Sequence, residues 1–158
     1  MAISPDHTKL AYTVDFTGAE LYQIIVLELA TGKVLDDGTT KSDSGVTWGD
    51  DKTLFYTVKD DISRPYRVYR HVVGAKQDTD VLLLEDLDEL FNVGIGKSRS
   101  GRFIYIEASS TETSELHFID LHASKGAASP VTVVQPRQTG LRYDVDHDGT
   151  DGFLLWSV

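Results

Sequence analysis

The chain has no cysteine among its 158 residues. Disulfides, thiolate catalysis and cysteine-held zinc or iron–sulfur centres are excluded, and a reducing, cytoplasmic setting is the expectation that follows. Long apolar runs are missing too, since nothing approaches the ~18 consecutive apolar residues of a membrane helix. Met1, Ala2 and Ile3 pass directly into Ser4-Pro5-Asp6, without the basic and apolar stretches of a secretory leader. Positive charge is scarce: 15 Lys and Arg stand against 25 Asp and Glu, a formal net charge of −10. Phosphate binding needs a positive surface, so no nucleic acid is expected as partner, and no membrane either. Acidity of this kind keeps a protein soluble and attracts cationic peptides, but it is too common to define a function.

What is present is an ordinary globular composition, 41% hydrophobic and 25% charged, of about one domain's length. Its strongest feature is an internal repeat. Four segments place turn residues before a β-rich run: Ser4-Pro5-Asp6 before Leu10-Ala11-Tyr12-Thr13-Val14, and Gly49-Asp50-Asp51 before Leu54-Phe55-Tyr56-Thr57-Val58. The third and fourth are Ser98-Arg99-Ser100-Gly101 before Phe103-Ile104-Tyr105-Ile106, and His147-Asp148-Gly149 before Phe153-Leu154-Leu155-Trp156. The aligned positions Leu10, Leu54, Phe103 and Phe153 are spaced 44, 49 and 50 residues apart. A second strand follows at 21–29, 66–73 and 115–121, and a third at 34–35, 81–84 and 131–134. A further strand precedes each later repeat, at 45–48, 91–96 and 142–146. Val81 to Phe91 admits a short amphipathic helix, but the repeat frame predicts a strand followed by a loop. Four strands per ~45–50 residues are the signature of a β-propeller blade. The fold class expected is therefore all-β: a partial β-propeller of about three four-stranded antiparallel blades plus the first strands of another. Closed rings use ~4–8 blades, so residues 1–158 are expected to be part of a larger propeller.

Chemistry-bearing motifs are weak. Gly96-Lys97-Ser98-Arg99-Ser100-Gly101 is one residue too long for G-x-S-x-G and precedes a strand, whereas a nucleophile elbow joins a strand to a helix; the repeat predicts a hairpin turn. His7, His71, His117, His122 and His147 form no HExxH pair and are expected as surface or turn residues. Asp144-Val145-Asp146-His147-Asp148-Gly149 fits the first half of a calcium loop, yet position twelve, where a bidentate Glu belongs, is Leu155. Asp144, Asp146 and Asp148 are accordingly a weak calcium alternative beside the prediction of no metal site. Gly94-Ile95-Gly96 is too short for a dinucleotide fingerprint, and no cofactor motif is found. The acidic stretch from Asp78 and Asp80 through Glu85, Asp86, Asp88 and Glu89 reads as a solvated loop. Arg64-Pro65-Tyr66-Arg67-Val68-Tyr69-Arg70-His71 reads as an Arg/Tyr-patterned strand.

Several of these runs carry a family likeness. Leu10 to Asp15 with Thr17-Gly18-Ala19-Glu20-Leu21-Tyr22, Val46-Thr47-Trp48, and Pro65-Tyr66-Arg67-Val68-Tyr69-Arg70-His71-Val72-Val73-Gly74 hold one register with it. So do Ser109-Ser110-Thr111-Glu112-Thr113-Ser114-Glu115-Leu116 and Tyr143-Asp144-Val145-Asp146-His147. The chain resembles the N-terminal propeller of prolyl-oligopeptidase-type serine peptidases, the oligopeptidase B (protease II) branch most closely. That resemblance implies a seven-bladed ring joined to an α/β-hydrolase domain that cuts short basic peptides after Lys or Arg. The propeller would cover the active site and admit only small peptides. No position here matches the family's catalytic Ser, Asp or His, so no catalytic residue is assigned and the chain is expected to be non-catalytic alone. The remaining blades and the hydrolase domain, in cis, are the implied partners. Glu20, in the turn between the first two strands of its repeat, matches an acidic position suited to interdomain contact. The alternative is a stand-alone propeller-like binding module that completes its ring by oligomerising.

Overall fold

Val, Ile, Phe, Tyr and Thr at alternating positions build strands almost throughout, as β-branched and aromatic side chains on a pleated surface should. The computed structural model describes residues 1–150 and 152–157; Asp151 and Val158, which belong to the fourth repeat, lie outside the described residues. Blade one contains β1 (Ala2–Ile3), β2 (Lys9–Val14), β3 (Tyr22–Glu28) and the first part of β4 (Val34–Asp50). The second part of β4, with β5 (Thr53–Lys59), β6 (Pro65–Val72) and β7 (Val81–Glu85), makes blade two. Blade three is β8 (Asn92–Lys97), β9 (Phe103–Ser109), β10 (Ser114–Asp120) and β11 (Thr132–Gln135). A fourth sheet begins with β12 (Tyr143–His147) and β13 (Phe153–Ser157). All pairings are antiparallel.

The expected strand-then-loop holds at 81–91, where β7 ends at Glu85 and a turn leads into β8. One expectation needs correction. The predicted strands at 34–35 and 45–48 are not separate, because β4 runs unbroken from the outer edge of blade one to the inner edge of blade two. Ser42 is the crossing point: its backbone pairs with Tyr22 on one side and Val58 on the other, and its hydroxyl donates to Tyr22 O at 3.0 Å. Register shifts on both flanks of Ser42 let one strand serve two differently inclined sheets.

Period two explains the core. In β5, Leu54 and Tyr56 pack with Ala11, Ile24, Val26 and Trp48 at the interface of blades one and two. Phe55, pointing the other way, joins Val68, Val93, Ile104, Ile106 and Ile119 between blades two and three. In β9 the same alternation sends Phe103 and Tyr105 toward Tyr143 and Val145 of the fourth sheet. Strands buried on both faces are what a stack of blades demands.

Candidate functional site

The serine run is a turn. Ser98 N donates to Phe103 O at 2.9 Å and Phe103 N donates back to Ser98 Oγ at 3.0 Å. Ser4 and Lys9 make the same two bonds two repeats earlier, at 3.0 and 2.9 Å. Ser98 Oγ also lies 2.9 Å from Ser100 Oγ, which lies 2.8 Å from His147 Nδ1. Because Gly149 N–H donates to His147 Nδ1 at 3.2 Å, that nitrogen carries a lone pair and the Ser100 hydroxyl donates to it. The chain of hydroxyls thus pins the turn of blade three to the start of the fourth sheet. Arg99 N–H, donating to Asp146 Oδ1 at 3.0 Å, reinforces the same junction.

His71 and His147 overturn the expectation of surface histidines, being only 1% and 3% exposed. The reason is pairing across sequence distance. His71 Nε2 lies 2.7 Å from Asp36 Oδ2 and Nδ1 lies 2.7 Å from Asp80 Oδ1. Tyr56 OH donates to Asp80 Oδ2 at 2.8 Å, and Gly38 N–H donates to Asp36 Oδ1 at 3.0 Å. Burial pulls the His71 pKa down, but the bonds to Asp36 and Asp80, with their charges, carry it above the ordinary value. Burial likewise raises Asp36, and the bonds from His71, Gly74 and Gly38 more than reverse this. The imidazolium therefore cross-links the outer strand of blade one to blade two.

The acidic stretch is also less solvated than expected. The Asp80 side chain is enclosed in that network, and Asp86 is buried against the Arg137 guanidinium. Arg64 precedes β6 and folds back as a clamp: Nε donates to Asp60 Oδ2 at 2.9 Å, and Nη1 donates to Asp88 O and Phe91 O at 2.9 and 2.7 Å. Arg67 pairs with Glu85 at 2.5 Å, and Arg70 donates to Ala127 O at 3.2 Å. All three arginines thus serve the fold.

Glu20 stands at the tip of the β2–β3 hairpin with φ 57° and a 70% exposed side chain. The Asp15 carboxylate holds that tip by accepting the N–H groups of Thr17, Gly18 and Glu20, each at 2.8 Å. Glu20 reaches Lys59 at 3.5 Å, and Lys59 also pairs with Asp43 at 3.2 Å. Asp144 and Asp146 share one face of β12, opposite the buried Tyr143 and Val145. Asp146 is occupied by the N–H groups of Arg99 and His147, while Asp148 caps Thr150 N at 2.9 Å. No cluster of three or more metal-ligating groups lies among the described residues, nor does any helix among them have the length and apolarity to cross a membrane.

Blades linked from the outermost strand of one to the innermost strand of the next, with hairpin turns clasped between neighbours, define part of a β-propeller. The family described as "Prolyl oligopeptidase, N-terminal beta-propeller domain" matches residues 1–157, and the chain belongs to it. Protease 2 of Moraxella lacunata is 35% identical over 97% of this chain and 22% of its own length. Dipeptidyl aminopeptidase BI of Pseudoxanthomonas mexicana is 38% identical over 93% of this chain and 20% of its own. Among solved structures, oligopeptidase B from Leishmania major superimposes with a TM-score of 0.89 at 33% identity, covering 97% of this chain and 21% of that one. The chain thus spans about a fifth of the length of these relatives.

Proposed function

We propose that these residues are part of the propeller of an oligopeptidase B-like serine endopeptidase. In this reading the complete ring has seven blades, shields a hydrolase active site in cis, and admits short peptides for cleavage after Lys or Arg. The 158 residues supply no nucleophile of their own, and Glu20, exposed on its hairpin tip, contacts the hydrolase domain. The observation that carries the proposal is the near-complete overlay on the Leishmania oligopeptidase B. The serine turns support it, since Ser98 does the same hydrogen-bonding work as Ser4 and is accounted for by the hairpin. The cytoplasm remains the compartment proposed, on the absence of cysteine.

Activity assays test this directly. The pure chain, given a fluorogenic arginyl substrate, is expected to release no product, because acyl transfer needs a base and oxyanion donors beside the serine. Co-assembly with the missing blades and hydrolase domain is expected to give cleavage after Arg or Lys. Turnover by the chain alone, or a complete assembly that ignores basic residues, would refute the proposal. A self-completing binding module is the second reading, favoured by one feature: Phe153, Leu154 and Leu155 of β13 are 44–58% exposed. It requires a discrete closed oligomer in solution.

A further inference from the structure

The cleft between blade three and the fourth sheet has a chemistry that blade packing does not account for. Glu107 of β9 and Asp144 of β12 line a space of about 200 Å³ together with Tyr105, Leu116, Gly94 and Gly96. Neither carboxylate has a cationic partner among the described residues, and Asp144 accepts only its neighbour Val145 N–H, at 2.8 Å. Tyr105 is 9% exposed, and its hydroxyl is buried without a hydrogen-bond partner. Burial, and then the charges of Asp146 and Asp144, push its pKa up to about 12, so the phenol stays neutral, and its unpartnered oxygen can accept a hydrogen bond from an N–H donor. An orphaned buried hydroxyl beside two uncompensated carboxylates is costly unless something enters to satisfy them.

The two glycines give an independent indication. Gly94 and Gly96 sit on the innermost strand of blade three, and a Cβ at either would meet no atom within 4 Å. Neither has the positive φ that favours glycine. Backbone conformation and packing both leave these positions free for side chains, so what their absence provides is open space. Glu107 and Asp144 also line an adjoining cleft of about 640 Å³, which gives the smaller space an entrance.

We propose that this cleft binds an organic cation, the ammonium or guanidinium at the end of a basic peptide side chain, between Glu107 and Asp144. The aliphatic stem lies against Leu116 and over the glycine strand, as the methylenes of Lys and Arg do along apolar surface. The donor set suits this cation better than calcium, which takes ~6–8 oxygen ligands. The inference rests on the reading of the chain as part of a peptidase for basic peptides and adds to that reading a side-chain subsite on the propeller itself.

The test is a titration of the ¹⁵N-labelled 158-residue chain with acetyl-lysyl-lysine amide, with acetyl-norleucyl-norleucine amide, whose N-terminus carries no ammonium, as the uncharged control. The dipeptide is expected to shift the Gly94 and Gly96 amide resonances saturably, and the control is expected not to. Replacing both carboxylates (Glu107→Gln with Asp144→Asn) should weaken binding at least about tenfold, as the loss of charge-assisted bonds predicts. Gly96→Leu should abolish it, with the far-ultraviolet spectrum of each variant unchanged. Equal shifts from the control, indifference to the carboxylate replacements, or displacement by micromolar calcium would each overturn the site. Arginyl-substrate cleavage by the complete assembly is read separately. Cleavage without dipeptide binding removes this subsite alone, and binding without cleavage removes the peptidase reading.

Discussion

His71→Leu is the perturbation with the clearest expected magnitude. In the folded chain the His71 imidazolium sits between two carboxylates at 2.7 Å each and is 1% exposed. Removing one member of a buried ionic network typically costs ~3–5 kcal/mol, since the partners are left charged and unpaired. Here Asp36 keeps Gly38 N–H and Asp80 keeps the Tyr56 hydroxyl, which places the loss near the lower end, about 3 kcal/mol. For a domain of this size that lowers Tm by ~6–12 °C. The loss depends on pH at both ends. The folded pKa of His71 is raised, so its contribution is full below the unfolded value of 6.5 and fades as pH rises through the folded value. The folded pKa of Asp36 is lowered, so its contribution is full above 3.8 and fades as pH falls through the folded value. The gap between parent and variant should therefore be widest between those two unfolded values and narrow toward pH 9 and toward pH 2. Urea unfolding followed by fluorescence of Trp48, which is buried in the same blade interface, measures it. A gap under about 1 kcal/mol at pH 6, the scale of an exposed pair, or one that widens toward pH 9, would refute the assignment.

Two further substitutions probe the packing and the loop. Gly49→Ala would put a Cβ 2.5 Å from Phe55 Cε2 and 3.1 Å from Ala127 Cβ; overpacking should cost ~1–3 kcal/mol, while Gly45→Ala, with open space around it, should leave the urea midpoint within error. Arg64→Lys keeps the charge but cannot reproduce the fork that holds Asp60 Oδ2, Asp88 O and Phe91 O. Limited proteolysis should find new cleavage at 86–91 and a stability loss of ~2 kcal/mol, and an unchanged digestion pattern would contradict the clamp.

The repeat was legible because blade geometry writes itself locally. Turn residues before Leu10, Leu54, Phe103 and Phe153 announce hairpins, and each lies at or next to the start of a strand. The continuity of β4 was not legible, because Gly38, Ser42 and Gly45 look like loop residues until Ser42 is seen to pair on both sides. The His71 network escaped for a similar reason. Asp36 lies 35 residues away and Asp80 nine, and only the stacking of blade two on blade one brings them together. The acids at 78–89 carry no mark of which ones turn inward; a nearby Arg137 to receive Asp86 is a tertiary fact. In the blade-three cleft, Gly94 and Gly96 were visible as a pair, but the space they leave depends on Glu107 and Asp144 arriving from other strands.

Labelling of the native protein with a serine-directed fluorophosphonate, followed by intact-mass and peptide mapping, tests the central claim most directly. The account predicts one polypeptide about four to five times as long as these residues, as the aligned share of its relatives implies, with the reactive serine outside them. Stoichiometric modification of Ser98, or of any other serine within the 158 residues, would contradict it.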